Sequence, residues 1–275
     1  MDAAAYGKIN LTLDVLGKTA DGYHSLRTIM LAIDLADELA LSFDAPGIRI
    51  EADPPLPDDS AAYRAAKGYL ARCGGKGLRA FIRRNIPPEA GLGGSSADAA
   101  AVLSALQARY GALTEEELVC LASSVGSDVP FLMRGGLALC EGRGEIVTPL
   151  TPMRMNLLVV KPGRGASTRE VFARLRPPYP AGTTDGALAA IRKGDFAGLL
   201  PHVGNALTDA AGSLAPEIAE LLSRMRRSGA LAASMTGSGS AVFGIFEREE
   251  AARRALEAFR DLPFARACAG VYHVV

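Results

Sequence analysis

One stretch of the sequence decides the fold: Pro87-Pro88-Glu89-Ala90-Gly91-Leu92-Gly93-Gly94-Ser95-Ser96-Ala97-Asp98, which runs into the apolar segment Ala99 to Leu106. Glycines let the backbone approach a ligand closely, and a helix behind them presents unpaired N–H groups and its positive dipole end to an anion. The stretch therefore predicts a phosphate-binding loop; the alternative is a structural turn capped by Ser95 or Ser96. It is neither a P-loop, since no Lys directly follows the last glycine, nor a dinucleotide fingerprint.

The composition describes an ordinary soluble globular protein. The 275 residues are 49% hydrophobic and 22% charged, which suits one large or two modest domains. Thirty basic and thirty acidic residues cancel, so the chain has no overall field to gather a polyanion. This balance argues against a nucleic-acid-binding or membrane-surface protein, and any anionic ligand must be held by local donors.

The cysteines and the N-terminal sequence indicate the cellular compartment in which the protein is expected. Cys73, Cys120, Cys140 and Cys268 are far apart and lack the spacing of a metal site, so buried reduced thiols are expected. The N-terminus has no basic region followed by a sustained apolar segment, and no later apolar run is long enough to span a bilayer. A reducing cytoplasm is the expected location.

The first half of the chain is predicted to form a sheet followed by helices. Alternating apolar and polar residues predict a strand over Ile9 to Leu16. Three more antiparallel strands are expected at Leu26 to Ile33, Glu38 to Phe43 and Ile48 to Ala52, and a helix over Ser60 to Cys73. Because strands and helices come in blocks, the pattern favours an α+β fold, with a domain boundary near residue 150.

Later segments continue this organisation. Helices are predicted over Asp98 to Tyr110 and over Thr114 to Ser124, where Thr114 and Glu117 form a possible capping box. A C-terminal strand is expected over Ala267 to Val275. Between the predicted strands Ala230 to Met235 and Ala241 to Phe246 lies a second cluster of glycines and hydroxyls, namely Thr236-Gly237-Ser238-Gly239-Ser240. A hairpin needs fewer residues, so this cluster indicates either close approach to a ligand or a flexible turn.

Four single residues carry a functional and a structural interpretation each. Asp128 follows Ser127 and precedes Pro130, an arrangement that also suits a helix cap. Lys8 stands at the beginning of a strand and is otherwise one more surface lysine. His24 is either a turn residue or, beside a Tyr, a group that binds a nucleobase. Phe172 is either core or a ligand contact.

Taken together, these segments resemble the GHMP superfamily of small-molecule kinases, named for galactokinase, homoserine, mevalonate and phosphomevalonate kinases. The resemblance covers essentially the whole chain. The segments that carry it are Gly7-Lys8-Ile9-Asn10-Leu11, Asp21-Gly22-Tyr23-His24, Gly91 to Ala100, Gly126-Ser127-Asp128-Val129-Pro130-Phe131 and Thr236 to Ser240.

The resemblance implies a two-domain α+β fold. Residues 1–150 would form an ATP-binding, ribosomal-protein-S5-like domain with an antiparallel sheet and helices. Residues 151–275 would form an α/β-sandwich domain that contributes to substrate binding. The implied activity is ATP-dependent phosphorylation of the tertiary C2 hydroxyl of a small alcohol that carries a cytidine diphosphate, in isoprenoid precursor synthesis by the non-mevalonate route.

The resemblance also implies roles for residues. Asp128 would accept the proton of the attacking hydroxyl, and Lys8 would orient that hydroxyl and offset developing charge. The ATP phosphates would be wrapped by Pro87, Pro88, Glu89, Ala90, Gly91, Leu92, Gly93, Gly94, Ser95, Ser96 and Ala97, with Thr236, Gly237, Ser238 and Gly239 beside them. The cytidine-bearing substrate would be held by Asn10, Tyr23, His24, Thr168 and Phe172, with the cytosine between Tyr23 and Phe172.

ATP as co-substrate and Mg²⁺ are the implied small partners. The family's usual Gly-Leu-Gly-Gly-Gly-Ser-Ser-Asp-Ala-Ala has a serine, Ser95, at its last glycine and an alanine, Ala97, at its second serine. Ser96 is therefore the candidate metal ligand, with Ser95 as the alternative. No nucleic acid or membrane partner is expected, and the chain would be a monomer or a homodimer.

Two alternative functions stay open at this point. One is another kinase of the superfamily, of the homoserine or mevalonate type, because the ATP loop does not distinguish substrates. The other is a non-catalytic nucleotide-binding module on the same fold, because fold does not determine function. The pair Lys8 and Asp128 and the balanced charge disfavour the non-catalytic module.

Overall fold

The computed structural model of the protein describes residues 1–20, 22–44, 46–180 and 182–272. Its strands are β1 (Asp2–Lys18), β2 (His24–Ser42), β3 (Gly47–Asp53), β4 (Gly77–Arg83), β5 (Leu137–Gly142), β6 (Ile146–Pro149), β7 (Asn156–Lys161), β8 (Gly204–Asn205), β9 (Ala232–Met235), β10 (Val242–Phe246) and β11 (Phe264–Ala269). Its helices are α1 (Ala61–Cys73), α2 (Gly94–Tyr110), α3 (Glu115–Val125), α4 (Val129–Arg134), α5 (Thr168–Arg174), α6 (Thr184–Arg192), α7 (Phe196–Leu199), α8 (Thr208–Gly212), α9 (Glu217–Arg227) and α10 (Glu249–Ala255), with 3₁₀ turns at Leu200–His202 and Leu256–Phe259.

The first sheet has seven strands in the path β3-β4-β2-β1-β8, and β5 and β6 extend it from β2. Its pairs are antiparallel except β3 with β4 and β1 with β8, which are parallel. The long strand β1 lies between β2 and the short strand β8, and its Ile9 and Leu11 are fully buried. The polar residues that alternate with them, Asn10 and Thr12, are buried as well, so both faces of this strand are covered.

The second sheet contains four antiparallel strands in the order β11-β7-β10-β9. Helices α9 and α10 pack against it, and a hydrophobic core forms around Met225, Phe246 and Phe259. A second, larger core lies between the first sheet and α1 and α2 and extends to β7 and β10 through Leu157 and Phe243. The two sheets therefore share buried apolar contacts. None of the helices in the described part of the chain is long and apolar enough to cross a membrane.

The α+β fold is confirmed, whereas several element bounds differ from the predictions. The two strands expected at Leu26 to Ile33 and Glu38 to Phe43 are one strand, β2, because different parts of it pair with β1, β4 and β5. Helix α2 begins at Gly94 and not at Asp98, since glycine and serine fit its first turn. The C-terminal strand is Phe264–Ala269, and the predicted positions 273–275 lie outside the described residues.

Two further expectations have clear outcomes. The capping box at α3 is confirmed, because Thr114 and Glu117 exchange side-chain and backbone hydrogen bonds. The expectation that all cysteines are buried is wrong for Cys120, which is exposed, and for Cys73, which is half-buried. No disulfide is formed among them. The domain boundary near residue 150 stays a prediction; β8, from beyond it, pairs with β1 of the first sheet.

Candidate active site

The glycine loop connects β4 to the N-terminus of α2. The N-cap of the helix is Gly93, whose φ of 76° belongs to the left-handed region, and no side chain caps the helix. The first helical bond runs from Ala97 N–H to the Gly93 carbonyl. Within the described residues, the N–H groups of Gly94, Ser95 and Ser96 therefore have no backbone acceptor. The expected capping by Ser95 or Ser96 is therefore wrong, and these N–H groups could serve an anion; phosphate binding stays a prediction.

The two glycine-rich loops meet each other directly. Thr236 Oγ1 donates to the Gly91 carbonyl over 3.1 Å, and backbone N–H groups of Ser240 and Ala241 donate to the carbonyls of Glu89 and Ala90 over 3.2 and 3.1 Å. Gly91 has a φ of 73°, and a Cβ there would collide with the Thr236 carbonyl. Glycine is thus required at this contact for both conformation and space.

A buried pair of carboxyl groups anchors the loop to the sheet. Asp37 Oδ1 accepts the backbone N–H groups of Asn85 and Ile86 over 2.5 and 2.7 Å. Asp98 on α2 lies within hydrogen-bonding reach of Asp37, and burial, followed by the charge of Asp37, raises the pKa of Asp98 to about 8. Asp98 is therefore protonated at neutral pH and can donate to Asp37 Oδ2, whereas two unprotonated carboxylates would leave these buried oxygens without partners.

The structure brings Lys8 and Asp128 together at the base of the loops. Lys8 Nζ lies 3.3 Å from Asp128 Oδ2, and the lysine is only 4% exposed. Asp128 occupies the N-cap position of α4 but makes no capping hydrogen bond with its side chain, so the helix-cap interpretation of this carboxylate is wrong. Its side chain is 23% exposed, and this leaves one face open to the cavity.

Neighbouring glycines make room for the lysine. A Cβ on Gly93 would lie 3.2 Å from Lys8 Cγ, and a Cβ on Gly237 would lie 3.3 Å from Lys8 Nζ. The backbone of Lys8 is also tied to the loop, because its N–H donates to the Leu92 carbonyl over 2.9 Å. Lys8 is therefore enclosed by both glycine loops and is not a surface lysine.

Asn10 is the second side chain that contacts the Lys8 ammonium. Lys8 Nζ donates to Asn10 Oδ1 over 2.8 Å, and Gly237 N–H donates to the same oxygen over 2.9 Å. Asn10 Nδ2 donates to Thr28 Oγ1 over 2.8 Å. Asn10 is 1% exposed, so in this conformation the predicted substrate ligand makes its contacts to the protein.

A single open cavity of about 1420 Å³ joins these groups. Its lining includes both glycine loops, Lys8 and Asp128, and also Tyr23, His24 and Phe172. Pockets for one small molecule are usually about 300–1,000 Å³. The cavity is therefore large enough for two ligands side by side, and the glycine loops, the Lys8–Asp128 pair and the aromatic residues all line it.

Aromatic rings form the far end of the cavity. The His24 and Phe172 ring centroids are 5.1 Å apart at an interplanar angle of 31°, and Tyr179 meets His24 edge-on at 6.1 Å. Tyr23 is 56% exposed, and the Arg143 guanidinium lies 3.8 Å from its ring centroid. Phe172 thus stacks on His24 and not across from Tyr23, so the cytosine arrangement expected from the resemblance stays a prediction.

The electrostatics at this end suit a neutral ring. Burial, followed by the charge of Lys18, lowers the pKa of His24. A neutral imidazole has one donor and one acceptor nitrogen, which matches the polar edge of a nucleobase. Thr168 Oγ1 and Ser238 Oγ lie 2.7 Å apart, and this bond joins α5 to the second glycine loop.

The metal prediction can be compared with the donor groups present. Within residues 1–20, 22–44, 46–180 and 182–272, no group of three or more His, Cys, Asp and Glu side chains is placed to hold a metal ion. Ser95 is exposed, while the half-buried Ser96 points its Oγ to within 3.4 Å of where a Cβ on Gly126 would lie. The Ser96 hydroxyl could serve as one ligand of Mg²⁺, because this ion usually takes its other ligands from phosphate oxygens and water.

Sequence reasoning missed several residues of the site. Arg143 and Tyr179 show no motif, because a lone Arg or Tyr in a loop has no periodicity or spacing to mark it. Asp37 falls between two predicted strands, and Asp98 begins a predicted helix; at both places a polar residue is expected to face solvent. Asp98, directly behind the glycine loop, was the only one of the four with a local signal.

Comparison with known proteins gives the class. The family model for the GHMP kinases N terminal domain matches residues 60–136, and that for the GHMP kinases C terminal matches residues 187–263. The chain belongs to the GHMP kinase family. Its enzymatic class is thus that of an ATP-dependent small-molecule kinase, as the resemblance implied.

Individual relatives narrow this class. The 4-diphosphocytidyl-2-C-methyl-D-erythritol kinase of Moorella thermoacetica is 44% identical over 260 residues, covering 91% of each chain. A crystal structure of 4-(cytidine 5'-diphospho)-2C-methyl-D-erythritol kinase is 38% identical and has a TM-score of 0.87, covering 99% of this chain and 100% of that chain. A homoserine kinase from Cytophaga hutchinsonii is 20% identical with a TM-score of 0.72 over 99% of this chain and 95% of that chain, and it shares the fold alone.

Proposed function

We propose that this protein transfers the γ-phosphoryl group of ATP to the C2 hydroxyl of 4-diphosphocytidyl-2-C-methyl-D-erythritol, a step of the non-mevalonate route to isoprenoid precursors. The observation that carries the proposal is the buried Lys8 beside Asp128, placed where both glycine loops meet and facing a cavity that ends in aromatic rings. The similarity to kinases named for this substrate supports the choice among alcohols.

The chemistry follows from the pair. Asp128 would accept the proton of the C2 hydroxyl as its oxygen attacks the γ-phosphorus, with the bond to the β,γ-bridging oxygen breaking and ADP leaving. Lys8, held 3.3 Å from that carboxylate, would orient the hydroxyl and stabilise the negative charge on the transferred group. Phosphoryl transfer needs mainly positioning and charge stabilisation, so two loops and this pair are sufficient equipment.

The glycine loop would hold the nucleotide phosphates. Free N–H groups at the start of α2 would donate to phosphate oxygens, and the helix dipole would favour their negative charge. Mg²⁺, when bound, would neutralise part of the phosphate charge, and the Ser96 hydroxyl would hold it from this chain. Because the reaction consumes ATP, it fits the cytoplasmic location expected from the sequence.

The aromatic end would recognise the cytidine. Neutral His24 can hydrogen-bond the polar edge of the base, while Tyr23 and Phe172 offer stacking faces once the His24–Phe172 contact opens. Stacking of a base on an aromatic side chain contributes about 1–3 kcal/mol. This binding energy, remote from the reacting hydroxyl, would select the cytidylylated alcohol over smaller ones.

A turnover assay tests the proposal. ADP release is measured with 4-diphosphocytidyl-2-C-methyl-D-erythritol, homoserine and mevalonate as separate substrates, and the phosphorylated product is identified by mass and by ³¹P NMR. The proposal expects ADP release and a C2 phosphate with the cytidylylated alcohol alone. Transfer to homoserine or mevalonate instead would reassign the substrate, and ATP binding without transfer to any alcohol would indicate a non-catalytic module.

A further inference from the structure

The orientation of the Asn10 side-chain amide is determined at its oxygen end by two donors. Lys8 Nζ and the Gly237 N–H donate to Asn10 Oδ1 over 2.8 and 2.9 Å. An ammonium and a backbone N–H can only donate. The amide oxygen, and not the NH₂ group, must therefore face Lys8 for this cluster to be satisfied.

The nitrogen end of the same amide is determined by Thr28. Asn10 Nδ2 donates to Thr28 Oγ1 over 2.8 Å, and Thr28 Oγ1 in turn donates to the Thr12 carbonyl over 2.5 Å. A hydroxyl has one proton. Since that proton is used on Thr12, the Thr28 oxygen can only accept, and it accepts the NH₂ end of Asn10.

Burial makes this arrangement strict. Thr28 is fully buried and Asn10 is 1% exposed, so no bulk water is at hand to replace a lost partner. Rotation of the amide by 180° would place its NH₂ group against the Lys8 ammonium. Its oxygen would then face the Thr28 hydroxyl, whose proton is already donated to the Thr12 carbonyl. Both ends would then be buried without partners, which strongly disfavours the rotated amide.

We propose that Thr28 is a positioning residue for phosphoryl transfer: through Asn10 it holds the ammonium of Lys8 beside Asp128. Thr28 lies on β2, next to the strand that carries Lys8 and Asn10. The Lys8–Asn10 bond of 2.8 Å and the 3.3 Å separation of Lys8 from Asp128 both restrain the ammonium, so loss of the Asn10 orientation would move it. The inference rests on the proposed function, because it assumes that Lys8 acts on the reacting groups.

The first test replaces Thr28 by the isosteric Val and by the conservative Ser. In Thr28→Val, Asn10 Nδ2 loses its acceptor, and kcat is expected to fall about 5- to 30-fold with the KM for ATP unchanged. Thr28→Ser keeps the hydroxyl and is expected to restore kcat to within about twofold. The matched control is Thr184→Val, which removes another fully buried hydroxyl that bonds Thr12 Oγ1 over 2.8 Å; it is expected to lower stability without changing kcat.

A double-mutant cycle with Asn10→Ala separates positioning from general stability. Thr28→Val is expected to lower kcat in the wild-type background and to have no further effect in the Asn10→Ala background. The same cycle in urea unfolding tests the Asn10–Thr28 bond without any substrate. Wild-type kcat in Thr28→Val, or equal losses in both backgrounds, would overturn the inference. If the wild type phosphorylates none of the alcohols, the proposed function fails, whereas the unfolding cycle still decides whether Thr28 holds Asn10.

Discussion

At the scale of single residues, the main feature of the site is a charged side chain that the fold buries. Lys8 is nearly fully buried, and its ammonium is satisfied by Asn10 Oδ1 and by the Asp128 carboxylate. A buried charge persists only when it is paired and hydrogen-bonded. Both partners therefore stabilise the buried ammonium, and removing either one would change the position of the lysine as well.

Replacement of Asp128 by Asn tests the proton acceptor. The amide cannot accept a proton from the attacking hydroxyl, so kcat is expected to fall by about 10²- to 10⁴-fold, the usual contribution of a general base. ADP release under saturating ATP and alcohol measures it. Asp58→Asn, at an exposed position, is the control and should keep wild-type turnover. An unchanged rate in Asp128→Asn would remove this residue from the mechanism.

The two adjacent serines give a matched test of the metal ligand. Ser96→Ala removes the half-buried hydroxyl next to Gly126, whereas Ser95→Ala removes an exposed one. Ser96→Ala is expected to raise the Mg²⁺ concentration for half-maximal activity about tenfold. This corresponds to the loss of one ligand contact that contributes about 1.4 kcal/mol. A Mg²⁺ titration measures the effect. The opposite ranking of the two variants would assign the metal to Ser95.

At the scale of elements, β2, the glycine loop, α2 and the second loop are joined into one unit. Asp37 on β2 accepts two backbone N–H groups at the start of the loop, and Asp98 on α2 can donate to the same carboxylate. On the other side, Gly91 contacts Thr236. The phosphate-binding backbone is thus restrained from both sides before a nucleotide arrives, and this lowers the entropy lost on binding.

The carboxyl pair predicts a pH-dependent stability. The pKa of Asp98 rises from an ordinary 3.8 to about 8 on folding, so the folded state binds more protons between these values. The free energy of unfolding contributed by this group therefore falls as pH rises from about 4 to about 8. Asp98→Asn keeps a donor to Asp37 and has no proton to lose, so its stability relative to wild type is expected to increase across this range.

Urea unfolding at pH 5 and at pH 8 measures the difference. The stability of Asp98→Asn relative to wild type should be higher at pH 8 than at pH 5. The exposed variant Asp58→Asn should show the same offset at both pH values. An Asp98→Asn difference that does not change with pH would mean that Asp98 is ionised in the folded protein.

The contact between the loops predicts a large effect at one glycine. Gly91→Ala would force a Cβ into the Thr236 carbonyl at a left-handed φ, so both stability and kcat should fall. Gly111→Ala is the control, because Gly111 has a φ of 59° but nothing within 4 Å of its Cβ. It isolates the conformational cost of about 1–2 kcal/mol and should leave kcat intact. Equal effects of the two variants on kcat would refute a role for the loop contact.

At the scale of the whole molecule, the cavity draws its two ends from different layers. His24 begins β2 of the first sheet, whereas Phe172 lies on α5, which packs with the core of the second sheet. Thr168 on the same helix meets Ser238 of the second glycine loop. Recognition of the base and placement of the phosphates are therefore linked through α5.

Phe172→Ala tests recognition of the cytidine. Loss of a stacking face worth about 1–3 kcal/mol is expected to raise the KM for the cytidylylated alcohol about 5- to 150-fold with the KM for ATP unchanged. Phe81→Ala, on β4 and 48% exposed, is the aromatic control. Steady-state kinetics with each substrate varied in turn measures both constants. A KM for the alcohol that stays at the wild-type value would place the base elsewhere in the cavity.

Much of the fold was predictable because its signals are local. The Thr114–Glu117 box placed the start of α3, and the glycine run identified the loop before α2. Alternation identified β1 and β3, but β1 begins at Asp2, so Lys8 lies within the strand and not at its beginning, and β3 pairs in parallel with β4 and not antiparallel. Errors arose where pairing partners decide the bounds, as in β2, whose single long strand is held by three neighbours. The motifs identified the residues of the site, but they did not predict which other residues these side chains contact.

The sequence by itself determined the α+β class, the position of the glycine loop and the set of motifs typical of GHMP kinases. These features depend on hydrophobic periodicity and on backbone conformation at glycines, and both are set by near neighbours in the chain. Only the tertiary structure decided that the polar residues of β1 are buried, that Lys8 lies between Asn10 and Asp128, and that Phe172 stacks on His24. Apart from the Lys8–Asn10 bond, these contacts join residues far apart in the chain, and burial depends on such distant neighbours, so no local pattern predicts them.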